Sequence, residues 1–258
     1  MSPSSDAYRA LERQLARLRL MVGILALVVV TFAATAAVRA PGSTDVIRAE
    51  RIEIVEPDGT LAFVLANSHR PAPATIDGQV LMAGQEEERR NPSFIFFDGK
   101  GDEVGGMLFD NTTSEDGFSA TRHLSLDGYK QDQTVVLHHY QDPSGSASGL
   151  SVRDQPENHS VLDALRELGL EPGATREELQ AAMMGIPEEE RDARLAELFG
   201  GAPRVFVGSA RSREATLLLS DGHGRPRIHL GVPDEGEPFI RILDEEGRTV
   251  MEWPEEGG

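Results

Sequence analysis

The 258-residue chain contains no cysteine. Disulfides, thiolate zinc sites, haem attachment through cysteine and thiol nucleophiles are thereby excluded, and any folded part must be held by core burial. Aromatic residues are scarce at 5%, with Trp253 the only tryptophan, and Lys100 and Lys130 are the only lysines. Catalytic signatures are missing too. There is no G-x-S-x-G elbow, S-x-x-K or H-E-x-x-H, and no glycine-rich phosphate loop in a strand–loop–helix context.

Positive charge is also in short supply, with 25 basic residues against 43 acidic ones and a net charge of −18. A surplus of this size repels phosphate, which excludes nucleic acid as a partner and disfavours adsorption to anionic lipid heads. With so many carboxylates, close acidic pairs arise by chance, and nothing marks one pair for glycosidase chemistry. The apolar fraction of 39% still supports a modest core.

What is present begins with Leu20–Val38, LMVGILALVVVTFAATAAV, 19 residues without a charge. As a helix it spans roughly 28 Å, close to the ~30 Å hydrocarbon core of a bilayer. The basic N-terminus, residues 1–19, precedes it: Arg9, Arg13, Arg17 and Arg19 against Asp6 and Glu12 leave a charge of +2, so the remainder carries −20. This asymmetry keeps the front end in the cytoplasm and exports the acidic bulk. Ala34-Thr35-Ala36 fits a small-x-small cleavage pattern, so a secreted product cleaved after Ala36 is one reading. An uncleaved single-pass anchor is favoured, because the n-region and the apolar run both exceed signal-peptide lengths. Leu11, Leu15 and Leu18 continue helical spacing upstream, as an interfacial helix rather than a cytoplasmic docking helix.

Beyond the span one pattern recurs: a short apolar strand, a turn rich in Asp and Gly, and a second strand. Five such units start at Ile52, Phe94, Leu124, Leu217 and Phe239. Asp-Gly between apolar runs is a strong hairpin signal, since Gly supplies positive φ without steric cost. The expectation is a mainly β, antiparallel fold of hairpin repeats. One hairpin cannot bury its apolar face alone, so the units must stack or pair into a sandwich or a rolled sheet. Residues 39–157 and 201–258 form this exported β region.

Two segments depart from the pattern. Residues 67–91, with Pro71, Pro73 and the charged run Glu86 to Arg90, read as a long surface loop with one short strand at Gln79–Met82. Residues 158–200 read as an insertion of three helices: Val161, Leu162, Leu165 and Leu168 share a face, Thr175 and Glu178 form a capping box, and Pro187 suits the first turn of the third helix. The insertion is expected to cover an open sheet edge. Its rival role is docking a protein or envelope partner through residues 158–199.

The stretch HLSLDGYKQDQTVVLHHY, residues 123–140, holds the densest polar chemistry. Its candidate metal or catalytic residues are His123, Asp127, Asp132 and His139. If Leu124 and Leu126 pair with Val136 and Thr134, His139 shares a face with His123 and His138 points away. One face then offers two histidines, whereas zinc needs three or four converging ligands. Turn chemistry accounts for both aspartates. No catalytic, cofactor or metal residue is assigned, and a decorated hairpin is the expectation. Asp98 to Glu103 has the composition of a calcium loop without its spacing or distal Glu.

The His123–Gln133 run, H-L-S-x-D-x-Y-x-Q-D-Q, and the strand–D-x-x-G-x-x-R–strand repeats resemble a group of uncharacterised bacterial proteins with an N-terminal membrane anchor and an exported β-repeat region. The resemblance covers most of residues 46–252. It implies an anchor and a β fold, and supplies no activity. The functional expectation is a single-pass, extracytoplasmic binding or structural module without catalysis. The alternative is an envelope hydrolase or metal-dependent enzyme using the His123–His139 region.

Overall fold

The computed structural model describes residues 5–38, 46–84, 89–115 and 117–254. The chain divides into two compact units, Met1–Arg48 and Ala49–Gly258. The first contains one helix, α1 (Ser5–Val38). Its Arg13–Thr31 stretch is long and apolar enough to cross a membrane, with mean hydropathy 1.8 and none of it buried within the protein. An anchor and a signal sequence both satisfy that description. The cleavage pattern at residues 34–36 involves side chains outside the described set, as do the glutamates of the predicted charged run, Glu86, Glu87 and Glu88.

The second unit is mainly β. Twelve strands form one antiparallel sheet: β1 (Arg51–Val55), β2 (Leu61–Ala66), β5 (Ser93–Phe97), β6 (Glu103–Ser114), β7 (Gly117–Asp127), β8 (Gln133–Asp142), β9 (Gly145–Asp154), β10 (Ala202–Ser209), β11 (Ala215–Ser220), β12 (Pro226–Val232), β13 (Phe239–Leu243) and β14 (Thr249–Trp253). They lie in chain order, with β1 and β14 at the edges. A second, two-stranded sheet is the hairpin of β3 (Thr75–Ile76) and β4 (Gln79–Val80). All five predicted hairpins are present. Of stacking and edge-to-edge pairing, the hairpins take the second and continue one sheet.

The turns explain the continuity. Gly101 donates its backbone N–H to Asp98 and Asp98 to Asp102, and the same pair of bonds recurs at Asp221–Arg225 and Asp244–Arg248. Each loop has three residues, the last left-handed (φ +82° at Gly101, +79° at Gly224), followed by a bulge in the pairing. This is the three-residue hairpin with a G1 bulge. The positive φ therefore falls on the third residue after Asp98 and Asp221, not on the adjacent Gly99 and Gly222 as Asp-Gly alone implies. The aspartates cap the turns: Asp221 accepts from the backbone of His223 and Arg225, and Asp244 from that of Glu246 and Arg248.

The register sorts the two faces. On one, Ile52, Leu65, Phe94, Met107, Leu124, Leu137, Leu150, Val207, Leu217, Leu230, Ile240 and Trp253 stand side by side across all twelve strands. A parallel ladder runs through Ile54, Phe63, Phe96, Gly105, Leu126, Val135, Val152, Val205, Leu219, Ile228, Ile242 and Met251. No side chain of either ladder is buried. The opposite face holds the core: Val64, Ala66, Ile95 and Phe97 pack with Ala72, backed by Leu61 and Leu108.

Three helices join β9 to β10: α2 (Val161–Glu167), α3 (Arg176–Met184) and α4 (Glu188–Phe199). The Thr175–Glu178 capping box forms as expected, and Ser160 with Asp163 makes another at the start of α2. Contrary to the edge-covering expectation, the helices lie over the core face of the sheet. Leu162 and Leu165 pack with Ile76 of the β3–β4 hairpin, and Leu81, Leu170 and Leu179 close the cluster. Residues 67–91 are correspondingly not a free surface loop: Pro71, Ala72, Ala74 and Ile76 are buried, and Met82 bridges to Ala174 beside α3.

Candidate functional site

The hairpin, the helices and the sheet line a partly open cavity of about 470 Å³. Its floor is the core face of β5–β7: Ser93, Ile95, Gly106, Leu108, His123 and Ser125. A Cβ at Gly106 would stand 2.8 Å from Cδ1 of Ile95, so glycine here keeps the floor open. The roof consists of Ile76 and Leu81 with Val161, Leu165, Leu179 and Phe199. The volume lies within the ~300–1,000 Å³ of small-molecule sites, and mostly apolar walls are typical of them.

One end of the cavity is polar and acidic. Arg89, Glu103, Asp127, Gln131 and Asp132 line it. Arg89 donates twice to the Glu103 carboxylate, at 2.9 and 2.8 Å, which leaves Asp127 and Asp132 without a cation of their own in the lining. Burial, reinforced by the negative charges of Glu103 and Asp132, pushes the Asp127 carboxyl up to about 7, with a Ser125 hydrogen bond and Arg89 opposing. Asp127 therefore titrates near neutrality, where a free carboxylate is fully ionised. Its Oδ1 is buried and has no hydrogen-bond partner, and the same holds for Gln131 Oε1 and His123 Nε2. Buried polar atoms are ordinarily paired, and these three unpaired ones belong to residues that line one cavity.

His123 has its pKa lowered by burial and then by His138 and Arg153, with Asp132 opposing. Its Nδ1 lies 2.7 Å from the Tyr140 hydroxyl, and Tyr140 stacks on His138 at 4.8 Å. The roof is fastened to this hairpin. Lys130 Nζ donates to both oxygens of Asp77 at 2.6 Å, Asp77 N–H donates to the buried Asp102 carboxylate at 2.6 Å, and Val161 N–H to the Lys130 carbonyl at 3.0 Å.

The structure thus brings His123, Asp127 and Asp132 to one cavity and sends His139 elsewhere. A bulge at Leu126/Asp127 shifts the pairing by one residue, so that Leu124 faces Leu137 and His123 faces His138. His138 shares the face of His123, the reverse of the sequence expectation. His139 lies on the opposite face beside Arg122 and bonds Ser148 Oγ through Nδ1 at 2.7 Å. Among the described residues no group of three or more His, Asp or Glu side chains is placed to hold a metal ion. Sequence reasoning passed over Arg89, Glu103 and Gln131. The first two sit in or beside a segment that reads as loop, and only the tertiary fold brings them to Asp127.

No family model, curated protein or solved structure matches the chain.

Proposed function

We propose that the chain is a single-pass membrane protein, anchored through residues 20–38 with its N-terminus in the cytoplasm, whose extracytoplasmic β domain binds a small amphipathic cation without catalysis. The observation that carries the reading is the cavity with orphaned Asp127 Oδ1 at its acidic end. The apolar walls fit an alkyl or aryl body, and an ammonium group fits the acidic end, where it donates to Asp127 and offsets Asp132. The resemblance to anchored bacterial β-repeat proteins agrees with the location and is silent on the ligand. An envelope hydrolase or metal-dependent enzyme built on the His123–His139 region has less support, since His139 is on the other face. Docking of a protein or envelope partner through residues 158–199 also has less, since the apolar sides of α2 and α3 roof the cavity.

Calorimetry on the full chain in nanodiscs, with octylamine and octanoate as probes, tests the reading. Octylamine is expected to bind saturably, octanoate not to bind, and Asp127→Asn to weaken octylamine selectively. Equal binding of both probes, or an Asp127→Asn variant with unchanged affinity, would overturn it.

A further inference from the structure

The two ladders on the face away from the cavity are unlike a monomer's surface. Twenty-three of their twenty-four positions are apolar side chains and the other is Gly105. Leu65 is 51% exposed, Leu137 54% and Trp253 62%. Eleven strand spacings make the strip about 53 Å long, and two residue rows with their side chains make it roughly 14 Å wide. That is on the order of 700 Å² of continuous apolar surface, beyond the few hundred Å² monomers usually expose and close to the ~800 Å² each partner contributes to a stable interface.

We infer that this face is covered by the same face of a second copy, so that two chains make the sandwich that one does not. Length is the first reason: the complement of an apolar strip twelve strands long is another sheet of equal extent, packed about 10 Å away with interdigitating side chains. Self-complementarity is the second. A two-fold interface repeats one patch on both partners, and a strip without a charge in either ladder meets its mate with no like-charge contact. Charge also argues against a bilayer as the cover. The strand-end acids Asp142, Asp221, Asp234 and Asp244 are each paired with an arginine, but the chain beyond the anchor still carries a net −20, which anionic lipid repels. In a dimer the two net-acidic chains repel each other, so salt strengthens the association by screening.

The absence of cysteine makes the test direct. The strip's midpoint lies between Leu137 and Leu150, the sixth and seventh positions of the first ladder, and a two-fold axis brings each close to its own mate. Single Leu137→Cys and Leu150→Cys full chains, in membranes at low protein density, are treated with a short bis-maleimide beside Glu157→Cys, an exposed loop control. Most of each leucine-site variant is expected as covalent dimer, the control as monomer, and the dimer yield is expected to rise with salt. Leu137 is half exposed, so its replacement opens no core cavity, and sheet circular dichroism verifies that the variant is folded. Leucine-site variants that cross-link no better than Glu157→Cys would overturn the inference. So would a yield that falls with salt, or cysteines quenched by a lipid-phase probe and never cross-linked.

Discussion

Replacing Asp127 by Asn removes a carboxyl that the fold holds against its preferred charge. In the native state its pKa is raised from 3.8 to about 7. Below the lower value the carboxyl is protonated whether folded or unfolded, and it contributes no pH dependence. Between the two the unfolded chain releases the proton while the native chain keeps it, so native stability falls as pH rises through this window and levels off above it. At about 1.36 kcal/mol per unit the whole shift amounts to roughly 4 kcal/mol. Asp127 is only partly buried, and solvent screening reduces this to about 1–2 kcal/mol. Asparagine keeps the shape and cannot ionise. The Asp127→Asn full chain in micelles should therefore gain about 1–2 kcal/mol on wild type between pH 4 and pH 8, read from urea unfolding followed by circular dichroism. The difference between variant and wild type cancels the other carboxylates. A constant difference across the window would refute the buried, proton-holding Asp127, and a gain at acid pH would reverse its sign.

Further outcomes follow from other parts of the structure. Octylamine must displace the Asp127 proton, so its affinity should fall about tenfold per pH unit below about 7 and level off above it, measured by calorimetry. Leu165 is 1% exposed within the roof, and Leu165→Ala should cost about 2–4 kcal/mol in urea unfolding. Ser160→Ala removes a capping box that starts α2 and should cost about 1 kcal/mol by the same measurement.

The hairpins were legible because each is specified locally. Alternating apolar residues and an Asp-Gly turn need no tertiary information, and Thr175 with Glu178 announces a helix start equally well. The register of residues 123–140 was not legible, because one bulge at Leu126/Asp127 slips the pairing by a residue and exchanges the faces of His138 and His139. Such a slip is set by turn geometry, which the Asp-Gly pair leaves open. The roof was hidden for a different reason. The Pro-rich stretch through Pro71 and Pro73 lacks periodicity, and its buried Ala72, Ala74 and Ile76 gain their meaning only from the sheet and from α2. The apolar ladders were visible strand by strand, but their joining into one uncovered face depends on all twelve strands keeping chain order.

The proposal that the cavity under α2 and the β3–β4 hairpin is a ligand site is tested most directly by native mass spectrometry of the intact chain released from nanodiscs with octylamine. Wild type and a surface variant, Lys100→Ala, are expected to carry one octylamine per chain. Leu165→Trp, which fills the cavity from its roof, is expected to carry none while keeping its β-sheet circular dichroism. A folded Leu165→Trp chain that retains the amine would contradict the account.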